Sequence, residues 1–154
     1  DLGFAEIYLN DENVEDKIRS IEVSNFVSKI AEVSAIRTKL VQQQKKYGID
    51  KGVVMDGRDI GTVVFPDAEL KIFMTASAEI RAERRFLEMQ EKAPNITFDE
   101  VLKNVVERDK IDSTREDSPL IVAENAVMID NSELNKEQQF HMILDLAHKA
   151  INAV

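Results

Sequence analysis

The sequence contains no cysteine and only two histidines in 154 residues. Without cysteine there is no disulfide framework and no thiolate nucleophile, and the chain fits a reducing, cytoplasmic setting. The two histidines, His141 and His148, cannot build a histidine-rich metal site, and both read as surface residues. No stretch approaches the length of a transmembrane helix, and the N-terminus lacks a basic-then-apolar leader pattern. Basic charge is also scarce. Twenty Lys and Arg stand against 29 Asp and Glu, for a net charge of -9. That argues against broad nucleic-acid or membrane-surface binding, which needs a basic field. It leaves open an anionic small molecule held by a few placed arginines.

The length suggests one domain with a real core. Residues 5–10 alternate as a strand, Asn10-Asp11 is turn chemistry, and residues 14–17 are expected to pair back as a second strand. Residues 18–46 read as helical in two or three pieces, with Ser34 as a cap and Gly48 as the C-terminal stop. Residues 52–56 read as a central buried strand, and 70–75 and 126–130 as further apolar strands. Between the first two, residues 57–68 are expected to hold a turn of helix. Ser77 opens a helix to about Lys92. Thr97 with Glu100 forms a capping box for the next, which Ser118-Pro119 ends. Asn135 caps the last helix. Strands followed by helical sequence indicate an α/β fold with a mainly parallel sheet.

The stretch from Gly52 to Pro66 carries the most chemistry. An apolar run, Val53 to Met55, delivers Asp56, Arg58 and Asp59 at its end. Ligands of open α/β sheets bind outside the carboxyl ends of the strands, so these residues read as the floor of a polar site; the alternative is a turn with surface charges. The eight arginines are placed unevenly. Arg81, Arg84 and Arg85 share one helical face, and Arg108, Asp112 and Arg115 share another. A guanidinium fork matches phosphate oxygens, so the two faces suggest a clamp over a polyphosphate. The competing reading is a solvated face whose arginines pair with Glu107, Asp109 and Asp112. Gly52-x4-Gly57 has the glycine spacing of a phosphate-binding loop, but Arg58-Asp59 stands where Lys and Ser/Thr belong. Val53 to Met55 also reads as buried strand, not exposed amides. Asp56, Asp59 and Asp67 lack the spacing of a calcium loop. Ser28 reads either as a site residue or as a helix serine bonded to its own backbone.

The block Met-Asp-Gly-Arg-Asp-Ile-Gly-Thr-Val-Val-Phe-Pro-Asp-Ala at 55–68, followed by Leu-Lys-Ile-Phe, closely resembles bacterial cytidylate kinase, a P-loop nucleoside monophosphate kinase family. Ile18-Arg19, residues 28–31, Arg81 to Arg85, Glu107-Arg108-Asp109, Asp112, Arg115 and Ser118-Pro119-Leu120 carry the same resemblance, which runs from about residue 17 to the end. It implies transfer of the ATP γ-phosphoryl group to CMP or dCMP with Mg²⁺. Carried over by motif, Ser28, Arg37 and Asp59 hold the cytosine, Arg58 binds the CMP phosphate, and Arg108 and Asp112 hold the sugar. Arg115, Arg84 and Arg85 serve the transferring group, and Asp56 orders Mg²⁺-bound water. The resemblance divides the chain into the C-terminal part of a CMP-binding insertion (1–50), core strands and loop (51–80), a lid (81–118), and a core strand with the last helix (119–154).

The family's opening strand and its Gly-rich loop ending in Lys-Ser/Thr have no counterpart in these 154 residues. The expectation is therefore a partial P-loop kinase fold that is inactive by itself. The complete enzyme is expected to be a monomer, whereas this stretch is open to association through an exposed sheet. A second expectation is a non-catalytic acidic α/β module that self-associates through that sheet.

Overall fold

A computed structural model describes residues 6–90 and 93–153; the side chains of Ile21 and Ser28 also lie outside it. The first elements are a small hairpin. Strand β1 (Tyr8–Leu9) pairs antiparallel with β2 (Glu12–Asn13), Tyr8 opposite Asn13. Asn10 and Asp11 adopt φ of 49° and 66°, the left-handed pair a two-residue hairpin turn demands and that Asn and Asp tolerate. Such a tight turn brings the return strand forward from the expected 14–17, and Lys17–Arg19 form a 3-10 turn instead. The expected strand over 5–10 is described only from residue 6, and its paired part is two residues long.

Helix α1 (Ile21–Ala31) starts at Ser20, whose hydroxyl accepts from the Val23 amide. Helix α2 (Ser34–Tyr47) is preceded by Val33, so Ser34 is its first residue and not its cap. The Ser34 hydroxyl donates to Asp117. Gly48 ends α2 as expected, with a φ of -96° that any residue could adopt. The constraint there is space: a Cβ on Gly48 would lie 2.3 Å from Cε1 of Phe65.

Residues 52–56 are not a strand. Val53, Val54 and Met55 have no ladder partner among the described residues, and Val54 is fully exposed. An apolar run becomes a strand only where a neighbouring chain accepts its hydrogen bonds. The one turn of helix expected in the following loop does form, as a π turn over Ile60–Val64. The Asp59 carbonyl accepts from the amides of Val63 (2.9 Å) and Val64 (3.2 Å), which fixes Asp59 at the start of that turn.

Strand β3 (Ile72–Thr75) lies parallel to β4 (Val127–Asp130), with Ile72 opposite Val127 and Thr75 opposite Asp130. Between them run α3 (Ala78–Gln90) and α4 (Phe98–Thr114). Ser77 accepts from the Ile80 amide at 3.2 Å, and Thr97 and Glu100 form the reciprocal capping box. The two helices pack through Ala82, Val101 and Val105, flanked by Phe86, Met89 and Leu102. Phe86 meets Phe98 edge to face, centroids 6.2 Å apart, an arrangement aromatic quadrupoles favour. Helix α5 (Lys136–Asn152) opens on a second capping box, Asn135 with Gln138, and exposes both histidines. The fold is α/β, its two-stranded parallel sheet flanked by helices. No helix among the described residues is long and apolar enough to cross a membrane.

Candidate functional site

Two buried carboxylates organise the site. Asp59 is 4% exposed and Asp112 is 3% exposed, and each is matched by guanidinium groups from elsewhere in the chain. Arg37, on α2, donates through Nη2 to Oδ2 of Asp59. Asp112, on the last turn of α4, accepts from Arg58 Nε at 2.8 Å through Oδ2 and from Arg115 Nη1 at 3.3 Å through Oδ1. A buried carboxylate is tolerable only when so satisfied. Arg115 was expected to continue the face of α4. It lies instead one residue past the helix with extended backbone (φ -61°, ψ 146°). It reaches back to Asp112 while its Nε donates to the Ser118 carbonyl at 2.8 Å. The Asp112 carbonyl in turn accepts from the Leu120 amide at 2.7 Å, so the chain after α4 is folded tightly under the carboxylate.

Cations outnumber anions here, in a protein that is acidic overall. Burial above all, and then the neighbouring Arg108 and Arg58, holds the Arg85 guanidinium below its ordinary pKa. Arg108 is lowered by burial first and then by Arg58, and Arg115 by burial and then by Arg37. All remain charged at neutral pH. Buried nitrogens of three of these arginines (Arg37 Nε, Arg108 Nε and Arg115 Nη2) have no hydrogen-bond partner among the described residues. Buried donors without acceptors are costly and rare. A set of them on crowded like charges is an arrangement that an anion with several oxygens would complete.

Some expected members are elsewhere. Arg84 is turned to the end of β4, donating to Asn131 Oδ1 (3.0 Å), the Asn131 carbonyl (2.7 Å) and the Ser132 carbonyl (3.3 Å). Arg81 grips both oxygens of Asp109 at 2.8 and 2.6 Å, tying α3 to α4. Of the pairings in the competing reading, Arg81 with Asp109 and Arg115 with Asp112 form. The Ser28 side chain lies outside the described residues. Asp56 is exposed. The rejection of a phosphate loop at Gly52-x4-Gly57 rests on Arg58-Asp59 alone, since the intervening residues are not a buried strand.

Sequence reasoning gave no role to Ser24 and Asn104, both buried, on α1 and α4. The Ser24 hydroxyl accepts from Arg108 Nη1 at 3.1 Å and donates to Asn104 Oδ1 at 3.2 Å, and Asn104 Nδ2 donates to Asn25. A polar residue on each helix's apolar stripe was the available signal. Beside this chain a cleft of about 630 Å³ opens between α1, α4 and residues 93–96.

Residues 1–149 match the family model described as cytidylate kinase. The chain belongs to the cytidylate kinase family. It is 67% identical over 151 residues to a cytidylate kinase of Flavobacterium johnsoniae, covering 98% of this chain and 66% of that protein. It is 63% identical over 147 residues to a cytidylate kinase of Flavobacterium psychrophilum, covering 96% of this chain and 65% of that one. A cytidylate kinase of Phocaeicola vulgatus is 54% identical over 145 residues, with 94% and 63% covered. The chain thus spans about two thirds of the length of these family members.

Proposed function

We propose that these residues form the acceptor-nucleotide and lid half of a kinase that transfers the γ-phosphoryl group of ATP to CMP or dCMP. The observation that supports it best is the crowd of arginines around Asp59 and Asp112, with three buried donors unmet among the described residues. In this reading Asp59 accepts from the cytosine N4 amino group, with Ser28 beside it, and Arg37 donates to N3 or O2. Uracil reverses the donor and the acceptor and would leave buried groups unpaired, which discriminates strongly. Arg58 leaves Asp112 for the acceptor phosphate, and Arg108 and Asp112 hold the sugar. Arg115 and Arg85 face charge developing on the transferring group, where preorganised cations stabilise a loose transition state. Arg84, committed to carbonyls at the end of β4, is left a supporting role.

Mg²⁺ suits this site in a limited way. No group of three metal-ligating side chains converges among the described residues. Mg²⁺ commonly takes only one or two carboxylates, with phosphate oxygens and water, and exposed Asp56 can hold such a water. The ion, when bound, would neutralise phosphate charge.

These 154 residues hold no Gly-x4-Gly-Lys-Ser/Thr segment, so we infer that this stretch alone does not turn over ATP. Calorimetric titration with CMP and UMP, together with coupled ADP release, tests both statements. CMP binding that is selective over UMP and lost in Asp59→Ala is the expected result. Equal binding of both nucleotides refutes the cytosine assignment, and turnover above background refutes the inactivity. A second reading, a self-associating module, draws on exposed apolar side chains, Met128 of β4 and Val54 among them. Light scattering that finds a stable oligomer without nucleotide binding would favour it.

A further inference from the structure

We propose that Ser24 is a positioning residue for Arg108, with Asn104 setting the direction of the Ser24 hydroxyl. The proposal rests on the acceptor-nucleotide reading above and adds residues that reading does not use. Ser24 and Arg108 are 84 residues apart in the chain, on α1 and α4. The donors and acceptors between them admit one order. Asn104 donates through Nδ2 to Asn25 Oδ1, which leaves its carbonyl oxygen facing Ser24. That oxygen has no proton, so the Ser24 hydroxyl must donate to it, and its lone pairs then face Arg108 Nη1.

Arg108 needs such an anchor. Burial and the positive charges of Arg58 and Arg85 work against its charge while Asp112 and Asp109 draw it, so a long side chain pulled several ways needs a fixed contact to hold one position. With Nη1 fixed on Ser24, the buried Nε, unmet among the described residues, is kept aimed for an incoming acceptor. The Asn104–Ser24 pair also joins α1 to α4. The arginine's aim is thereby tied to the approach of the two helices, since a hydrogen-bonded polar chain through buried Ser24 and Asn104 favours one geometry.

The test is calorimetric titration of this chain with CMP and, separately, with inorganic phosphate, in wild type, Ser24→Ala and Asn104→Leu. Ser24→Ala should weaken CMP about tenfold, equivalent to about 1.4 kcal/mol, and leave phosphate, held through Arg58, within about twofold. Asn104→Leu should lose in the same direction. Ser24→Cys, close in volume but a weak acceptor, reports the same loss should the alanine variant unfold. Unchanged CMP affinity in Ser24→Ala, or equal weakening of CMP and phosphate, overturns the positioning role. A wild-type chain that binds phosphate but not CMP overturns the nucleotide reading itself, and this proposal with it.

Discussion

Arg58 and Asp112, 54 residues apart in the chain, meet through Nε and Oδ2 at 2.8 Å. The other oxygen of Asp112 serves Arg115, so one carboxylate engages two guanidinium groups. Removing it leaves Arg115, itself 6% exposed, without its carboxylate. Asp112→Ala should cost about 3 kcal/mol, in the range for stripping one partner from a buried pair. Urea unfolding measures this, and a loss below about 1 kcal/mol would show the pair to be weak. Added sulfate or phosphate should recover part of the loss, because either anion can replace the missing charge.

Arg85 is half-buried and crowded by Arg108 and Arg58, with Glu88 offsetting part of that, so its charge costs stability. Arg85→Gln should raise the unfolding free energy read by urea titration modestly, by about 0.5 kcal/mol once solvent screening of a half-buried group is allowed for. The same variant should bind inorganic pyrophosphate several-fold more weakly. A variant that is both less stable and equally tight would remove the argument for charge crowding.

The capping box gives a pH signature. Backbone and side-chain hydrogen bonds from Thr97 hold the Glu100 carboxyl below its ordinary value of 4.5. Its folded pKa is depressed, so the stability it adds is present above 4.5 and disappears as pH falls through the lower folded value. Thr97→Ala should cost about 1 kcal/mol at neutral pH. It keeps the backbone donor to Glu100, so it should flatten the acid limb of the stability curve in part, and Glu100→Gln should flatten it further. A parallel offset from wild type at every pH, read by denaturant titration, would refute the linkage.

Gly48 abuts the Phe65 ring too closely for any Cβ. Gly48→Ala should therefore destabilise by about 1–3 kcal/mol, as overpacking does, although the backbone conformation suits alanine. Phe65→Leu, which removes the ring, should cost less in the Gly48→Ala background than in wild type. Additive losses in that double-mutant cycle would argue against the clash.

Features that depend on a few neighbouring residues were legible in the sequence. The Thr97–Glu100 capping box and the Asn135 cap form as read, the latter completed by Gln138 into a second box, because a cap is completed within one turn. The strands ending in Thr75 and Asp130 were legible from short apolar runs, although each is shorter than its run. Val53 to Met55 looked the same and is not a strand, since a ladder needs a partner that local sequence does not supply. Within the site, the charged residues were nameable but their pairings were not. Arg37 with Asp59 and Arg58 with Asp112 join segments that only tertiary folding brings together. Ser24 sits beside Val23 and Phe26 in the sequence, a pattern that a solvent-facing serine shares.

The π turn over Ile60–Val64 also has a bearing on chain length. It closes a ring one residue wider than an α-helical turn, with Asp59 at one end and, just beyond the other, Phe65 lying against the end of α2. Surface loops usually accept an extra or missing residue at little cost. Here a single deletion would turn one end relative to the other by about 100°, the rotation per residue of a helix. It would set the ring against Gly48 and the carboxylate against Arg37 in competition. Between Asp59 and Phe65 the number of residues is itself part of the site.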